Sequence, residues 1–326
     1  MNFNKDLFSI NTVEQFNKLA LDVFTFQALH CEIYAQYIRH LGIKIEYITS
    51  VEKIPFLPIG FFKNHTILSN KNPTEITFSS SGTTGMSQSN HHVTDVKLYE
   101  KSYLKAFAQF YGDVETYCFL ALLPSYQQRS GSSLIYMVND LIEKSKNPLS
   151  GYFLYNHDEL LQTLNVLKSK NQKTVLIGVT YALLDFIEQN EINFPNLIVM
   201  ETGGMKGKRK EMIREELHAQ LTQGFGVKKI HSEYGMTELL SQAYSLGDGI
   251  FKCPNWMKVF IRDTNDPLSL IPEGKAGGIN VIDLANTNSC SFIATQDLGK
   301  IYTDGSFEVL GRFDNADIRG CNLLVQ

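Results

Sequence analysis

The sequence predicts an α/β fold: a mixed sheet flanked by helices over residues 1–246, continued by a mostly β part over residues 247–326. Two observations predict it. Between Tyr117 and Leu221, short apolar runs alternate with amphipathic stretches, the pattern of parallel strands joined by helical crossovers. After about Gly247 the chain changes to brief β-prone segments separated by Pro, Gly, Asn and Asp, which reads as antiparallel strands and tight turns. No internal repeat or low-complexity linker separates the two parts, so one domain over residues 1–326 is expected.

The elements follow in order. Asn11-Thr-Val-Glu14 reads as a helix start, a capping side chain followed by an acid three residues on. Phe16, Leu19, Ala20, Val23 and Phe24 follow at helical spacing, and a second helical pattern runs through Ile33, Tyr34, Tyr37, Ile38 and Leu41. Two prolines make Lys53–Lys63 an extended connection. Glu75–Phe78 is a short strand, followed by a loop of small residues. Strands are then expected at Tyr117–Leu123, Thr174–Val179 and Leu197–Met200, with helices at Ser132–Leu141, Glu159–Ser169, Ala182–Gln189 and Arg209–Leu221. The final part should hold strands at Trp256–Arg262, Gly278–Asp283, Gly299–Tyr302 and Phe307–Leu310.

Composition narrows the function classes. Hydrophobic residues are 43% of the 326 and charged residues 20%, enough for a sizeable core. A net charge of −4 gives no reason to expect nucleic acid or an anionic membrane as a partner. The N-terminus lacks a signal-peptide layout, and no apolar run approaches the roughly 20 residues of a membrane span. Cys31, Cys118, Cys253, Cys290 and Cys321 are scattered, without CxxC or regular ligand spacing. That argues against a disulfide scaffold or zinc site and for reduced thiols in the cytoplasm.

Three motifs carry chemistry. Ser79-Ser-Ser-Gly-Thr-Thr-Gly85 follows a strand directly, and its glycines, hydroxyls and free N–H groups can cradle a polyphosphate; alone it reads equally as a surface loop. It is not a Walker A loop, which would need G-x-x-x-x-G-K-[ST]. In Ser232-Glu-Tyr-Gly-Met-Thr-Glu238, Gly235 allows a tight turn, Thr237 can bond a phosphate oxygen and Glu238 can hold Mg²⁺; a strand end with a solvated Glu is the plain alternative. In Asp297-Leu-Gly-Lys-Ile-Tyr-Thr-Asp-Gly305 with Gly311-Arg-Phe-Asp314, Asp297 and Arg312 can meet ribose hydroxyls, against the alternative of a hairpin with Asp-Gly turns.

The order of these motifs, with a Gly-Gly strand end between the first two, resembles the adenylate-forming superfamily of acyl-CoA ligases and firefly-type luciferases. Within it the chain is most similar to the LuxE-type acyl-protein synthetases, through Ile54-Pro-Phe-Leu-Pro-Ile59 with Lys63, Thr202-Gly-Gly-Met-Lys206-Gly, and Asp317-Ile-Arg-Gly-Cys321-Asn-Leu-Leu. The resemblance implies ATP-dependent activation of a fatty acid and transfer of the acyl group to a protein cysteine. It places the triphosphate on Ser80, Ser81, Gly82, Thr83, Thr84 and Gly85, and adenine on Gly203, Gly204, Tyr234 and Gly235. It gives the α-phosphate to Thr237, Mg²⁺ to Glu238, the ribose to Asp297 and Arg312, and the acyl group to Cys321.

Departures from the pattern also matter. Typical ligases continue the phosphate loop to Pro-Lys, where Ser87-Gln88 stands here. The chain ends at Gln326, just past the hinge motif, so the small C-terminal lid domain with its adenylation lysine is expected to be absent, and Lys206 becomes the candidate replacement. Lys206 reads equally as a solvated member of the run Lys206, Lys208, Arg209, Lys210. Three alternatives stand beside the synthetase reading: a phenylacetate-type ligase using CoA as the thiol, a non-catalytic nucleotide-binding relative, and, disfavoured by the missing Walker lysine, a P-loop NTPase. The identity of the acid, the accepting protein and a homodimer are left open.

Overall fold

The first helix begins one residue later than the sequence suggests. Thr12, not Asn11, is the N-cap: its hydroxyl accepts from the Gln15 amide while the Gln15 side chain reaches back, a complete capping box. The computed structural model describes residues 3, 7–80, 88–125, 127–204, 208–210 and 212–313. Helix Val13–His30 buries Phe16, Leu19, Ala20, Val23, Phe24, Gln27 and Ala28 along one face, and helix Glu32–His40 follows. The proline segment is less uniformly extended than expected. It opens on a 3₁₀ turn at Val51–Lys53, forms the two-residue strand β1 (Leu57–Pro58), and re-enters a helix at Phe61–Asn64. Proline has no N–H to donate, which keeps such pairing short.

Strands β2 (Ile76–Ser79) and β3 (Asn90–Val93) form a separate antiparallel hairpin in which Ser79 pairs with Asn90. Its second strand, Asn-His-His-Val, and helix Val96–Tyr111 go beyond the sequence expectations. That helix has an Asp95 cap and buries Leu98, Tyr99, Ser102, Tyr103, Ala106 and Phe107 at helical spacing.

The parallel region matches the alternation closely. It contains β4 (Cys118–Leu122), β5 (Gly151–Tyr152), β6 (Thr174–Val179), β7 (Ile198–Thr202) and β8 (His231–Tyr234), interleaved with helices Ser133–Ser145, His157–Ser169, Thr180–Gln189 and Arg214–Phe225. The last helix starts at Arg214 rather than Arg209, and ahead of it the Arg209 guanidinium is engaged by Asp185 and Glu188. It runs on to Phe225, burying Leu217, Leu221 and Phe225 four residues apart, and Gly226 ends it in the left-handed region at φ 64°.

The remaining strands are β9 (Ala243–Ser245), β10 (Ile250–Lys252), β11 (Met257–Arg262), β12 (Ala276–Asp283), β13 (Phe292–Ile301) and β14 (Phe307–Arg312). β13 begins well before the expected Gly299, since Phe292 and Ile293 are fully buried. All of these strands extend the same sheet. Twelve strands join in the order β11-β12-β13-β14-β10-β9-β8-β7-β6-β4-β5, with β1 alongside β13. Pairing is parallel from β5 through β8 and turns antiparallel between β8 and β9. Among the described residues no helix is long and apolar enough to cross a membrane.

One buried side chain locks the N-terminal helix to the far end of the sequence. Gln27 Nε2 donates to the carbonyls of Asn286 and Thr287 at 3.0 and 3.1 Å, and its Oε1 accepts from the Ser291 amide at 2.9 Å. Gln27→Leu keeps similar bulk but strands these backbone groups without water. Each stranded group costs about 1–3 kcal/mol, so the variant should lose roughly 3 kcal/mol or more. Urea unfolding would read this as a lower midpoint at unchanged slope; a loss within about 0.5 kcal/mol, the ordinary scatter of surface changes, would contradict it.

Candidate functional site

In open α/β sheets ligands settle outside the carboxyl ends of parallel strands. Here the last parallel strand, β8, ends at Tyr234 and continues into Gly235-Met-Thr237-Glu238, a turn closed by the Leu239 amide donating to the Met236 carbonyl at 3.1 Å. What holds this turn comes from elsewhere in the chain. At the end of β12, Asp283 is fully buried and its carboxylate accepts four hydrogen bonds. Oδ2 takes the Leu240 and Ser241 amides at 2.7 and 3.0 Å, and Oδ1 takes the Ser241 hydroxyl at 2.6 Å and the Ala285 amide at 3.0 Å. Burial leaves its pKa raised, with these donors opposing the shift.

Asn286, in the same short turn, donates from Nδ2 to the Glu238 carbonyl at 2.8 Å. His91, on β3, places Nδ1 2.8 Å from the Thr237 carbonyl and Nε2 3.0 Å from Asn286 Oδ1. Both partner atoms are oxygens that only accept, so a neutral ring donates to one of them: with the proton on Nδ1 the Thr237 bond is made, and Nε2 lies beside Asn286 Oδ1 without donating to it. Burial lowers the imidazole pKa to about 4, and the two oxygen acceptors oppose that shift.

The Glu238 side chain is itself buried, which raises its pKa, while the Ser89 hydroxyl lowers it as a hydrogen-bond donor. Ser89 closes the β2–β3 hairpin at its mouth: its amide donates to Ser80 Oγ at 2.9 Å, and its carbonyl accepts from the Ser80 amide at 3.0 Å. The mouth of the Ser/Thr/Gly loop therefore abuts Glu238. The expected loop residues Ser81, Gly82, Thr83, Thr84 and Gly85 lie outside the described residues, as do Lys206 and Cys321.

A second cluster borders the first, and its charges are felt at Glu238. The Tyr234 hydroxyl donates to Asp297 Oδ2 at 2.8 Å, and Arg312 Nε donates to Asp297 Oδ1 at 3.2 Å. Register explains the pair, because Asp297 on β13 sits directly across from Arg312 on β14. Asp297 is buried, but the Arg312 side chain is 79% exposed, so the ion pair adds little stability and leaves the guanidinium open to a ligand. Tyr234 is wedged edge-on against Phe251 and Phe307. At the neighbouring strand end, Gly203 and Gly204 adopt φ of 75° and 65°, and a Cβ on Gly204 would meet nothing within 4 Å. Gly235 is crowded instead: a Cβ there would run into Glu233 Oε1.

Two further buried acids go beyond the sequence expectations: Glu201 at the end of β7, and Glu233, a member of the Ser232–Glu238 motif with no expected role, at the end of β8. Their signal was position, each next to a motif residue at a parallel strand end. Glu233 Oε2 accepts from the Thr202 hydroxyl at 2.7 Å. Burial, reinforced by the Glu201 charge, pushes the Glu233 pKa up to about 7, against the pull of Thr202. For Glu201 burial is also the largest influence, but the His218 ring and the Arg214 charge leave its pKa below the ordinary value. The four described cysteines are free. Burial pushes Cys118 and Cys253 up to about 11 and 12 and raises Cys31 and Cys290 as well, so none is poised as a thiolate. No group of three or more His, Cys, Asp or Glu among the described residues is arranged to hold a metal by itself.

Glu233 generates a pH test. Its carboxyl titrates near 4.5 in the unfolded chain and near 7 in the fold. Between those values the folded state binds more protons, so this group's contribution to stability falls as pH rises through that window. Glu233→Gln removes the loss. Relative to the parent, the variant should gain stability between pH 5 and 8, levelling at about 3 kcal/mol. Denaturant unfolding at several pH values measures it; a difference independent of pH would contradict the assignment.

Comparison with known proteins bears on the family and the fold. The family model described as acyl-protein synthetase, LuxE, matches residues 8–326. A long-chain-fatty-acid–luciferin-component ligase of Photorhabdus luminescens is 39% identical over 70 residues, which span 21% of this chain and 60% of that protein. An open conformation of 2-hydroxyisobutyryl-CoA ligase, in complex with 2-HIB-AMP and CoA, superposes with a TM-score of 0.71 at 12% identity, over 93% of this chain and 70% of that chain. ATP-bound MatB from Rhodopseudomonas palustris gives 0.56 at 17% identity, over 75% and 49%. At such identities the structural likeness carries the fold, which is that of the adenylate-forming enzymes. With its family model matched from residue 8 to residue 326, the chain belongs to the acyl-protein synthetase, LuxE, family.

Proposed function

We propose that the protein activates a carboxylic acid, a fatty acid foremost, with ATP as an acyl-adenylate and passes the acyl group to a thiol. The observation that carries this reading is the contact of the hairpin mouth with the Thr237–Glu238 turn, beside the Tyr234–Asp297–Arg312 cluster, at the ends of the parallel strands. Family membership adds weight to it.

In this reading a carboxylate oxygen attacks the α-phosphorus of ATP, and the bond from that phosphorus to the bridging oxygen breaks, with the electron pair leaving on pyrophosphate. Like charges repel on approach, so the site must neutralise them and hold the reactants in line. Thr237 donates its hydroxyl to an α-phosphate oxygen. Asp297, already accepting from Tyr234 and Arg312, keeps lone pairs for ribose hydroxyls, and exposed Arg312 supplies donors. Tyr234 with Gly203, Gly204 and Gly235 packs against adenine. The loop Ser80–Gly85 and Lys206 contribute donors and charge to the polyphosphate. A single carboxylate beside substrate phosphates suits Mg²⁺, so Glu238 fits its place, and the ion would supply further charge neutralisation. The thiolate then attacks the acyl carbon, the C–O bond to AMP breaks, and AMP leaves.

Cys321 is the acceptor this reading selects, since the four described thiols are held protonated by burial. CoA is the second reading, favoured by the fold shared with a ligase whose complex contains it.

The protein should catalyse ATP–pyrophosphate exchange that requires both Mg²⁺ and an added acid. Glu238→Gln should raise the Mg²⁺ requirement. Asp297→Ala should raise the ATP requirement by roughly 10-fold or more, the equivalent of about 1.5–3 kcal/mol for hydrogen bonds to a charged group. A labelled acid should leave a hydroxylamine-labile label on the protein that is lost in Cys321→Ser while exchange persists. Absence of exchange across a panel of fatty and aromatic acids would overturn the reading; acyl-CoA formation without protein labelling would select CoA as the thiol.

A further inference from the structure

The hairpin that carries the Ser/Thr/Gly loop and the turn that carries Thr237 and Glu238 belong to different sheets, and 146 residues separate His91 from Thr237. Their side chains can serve one reaction only if the distance between them is fixed. His91 is placed to fix it. It follows Asn90, whose Oδ1 accepts from the Ser79 hydroxyl at 2.8 Å, and it lies two residues after Ser89, whose hydroxyl faces the Glu238 carboxylate. The ring spans to the Thr237 carbonyl on one side and to Asn286 on the other, with the Phe62 ring edge-on to it at 5.7 Å. Asn286 completes the span by donating to the Glu238 carbonyl, and its own carbonyl is held by Gln27.

We propose that His91 and Asn286 are positioning residues, a buried polar strut that holds the Thr237–Glu238 backbone at a set distance from the hairpin mouth. The inference deepens the adenylation reading and rests on it. Two features separate the strut from ordinary core filling. Both His91 and Asn286 are buried, where a polar side chain is costly unless its hydrogen bonds are made, and theirs reach the Thr237 and Glu238 carbonyls. The strut's bonds also end on the main-chain carbonyls of the two residues whose side chains the reaction uses, which leaves the Thr237 hydroxyl and the Glu238 carboxylate free of it. A strut acting on backbone position should change how fast bound substrates react more than how tightly the acid binds, because reactivity falls steeply with small errors of placement.

The test compares pyrophosphate exchange in the wild-type protein, His91→Leu, His91→Asn and Asn286→Ala. Asparagine can set its Nδ2 donor near the position of the imidazole Nδ1–H, so it preserves the Thr237 bond. His91→Leu should lower kcat roughly 10- to 100-fold, with the acid KM changed less than about threefold. His91→Asn should recover most of that loss, and Asn286→Ala should lower kcat in the same pattern. Equal loss in the Leu and Asn variants, wild-type kcat in folded His91→Leu, or a defect confined to the acid KM would each overturn the strut. If His91→Leu fails to fold, Asn286→Ala and His91→Asn decide: kcat unchanged in Asn286→Ala overturns the proposal, and a reduced kcat at constant acid KM, smaller for His91→Asn, supports it. An inactive wild-type protein would instead remove the adenylation reading, and the strut with it.

Discussion

The Asp283 carboxylate is the interaction on which the site depends. A buried charge is expensive unless its lone pairs are filled, and here two amides of the β8–β9 connection, one serine hydroxyl and one amide of its own turn fill them. The exchange is mutual: the carboxylate needs those donors, and the chain after β8 needs an anchor as it leaves the sheet. Leu240 and Ser241 are pinned from one side by Asp283, and Thr237 and Glu238 from the other by His91 and Asn286. The segment is thereby held through its main chain.

The location follows from the sheet. Parallel pairing ends at β8 and antiparallel pairing begins at β9, so the chain after Tyr234 must turn back on itself at the carboxyl end of the parallel strands. β13 and β14 bring Asp297 and Arg312 to the same edge through their register. Buried acids collect here as well. Glu201 and Glu233 sit at adjacent strand ends; burial raises both pKa values, but the His218 ring and the Arg214 charge leave Glu201 below its ordinary value while Glu233 stays above it. Such perturbed groups gather where a fold spends stability on function.

Much of the fold was legible because strand and helix leave different hydrophobic periods. β6 is buried at every position and reads as one continuous apolar run. The misses have physical causes. β3 is Asn-His-His-Val and carries no β signal, since its pairing to β2 and the His91 contacts decide its state. Helix Val96–Tyr111 carries both a cap and a buried stripe, a legible signal that the adjoining loop overshadowed. The site divides in the same way. Tyr234, Thr237, Glu238, Asp297 and Arg312 belong to short local motifs and could be named from the sequence. Asp283, Asn286 and His91 could not, because their roles exist only through contacts 42 to 195 residues away along the chain.

The central claim is that a carboxylate oxygen of the acid becomes bonded to the α-phosphorus of ATP at this site. Following oxygen-18 from a doubly labelled carboxylic acid through one turnover tests that bond directly. The account predicts that label leaves the acid and appears in the phosphate of AMP. Label recovered in orthophosphate, the mark of an acyl phosphate, or retained entirely in the acyl product would contradict it.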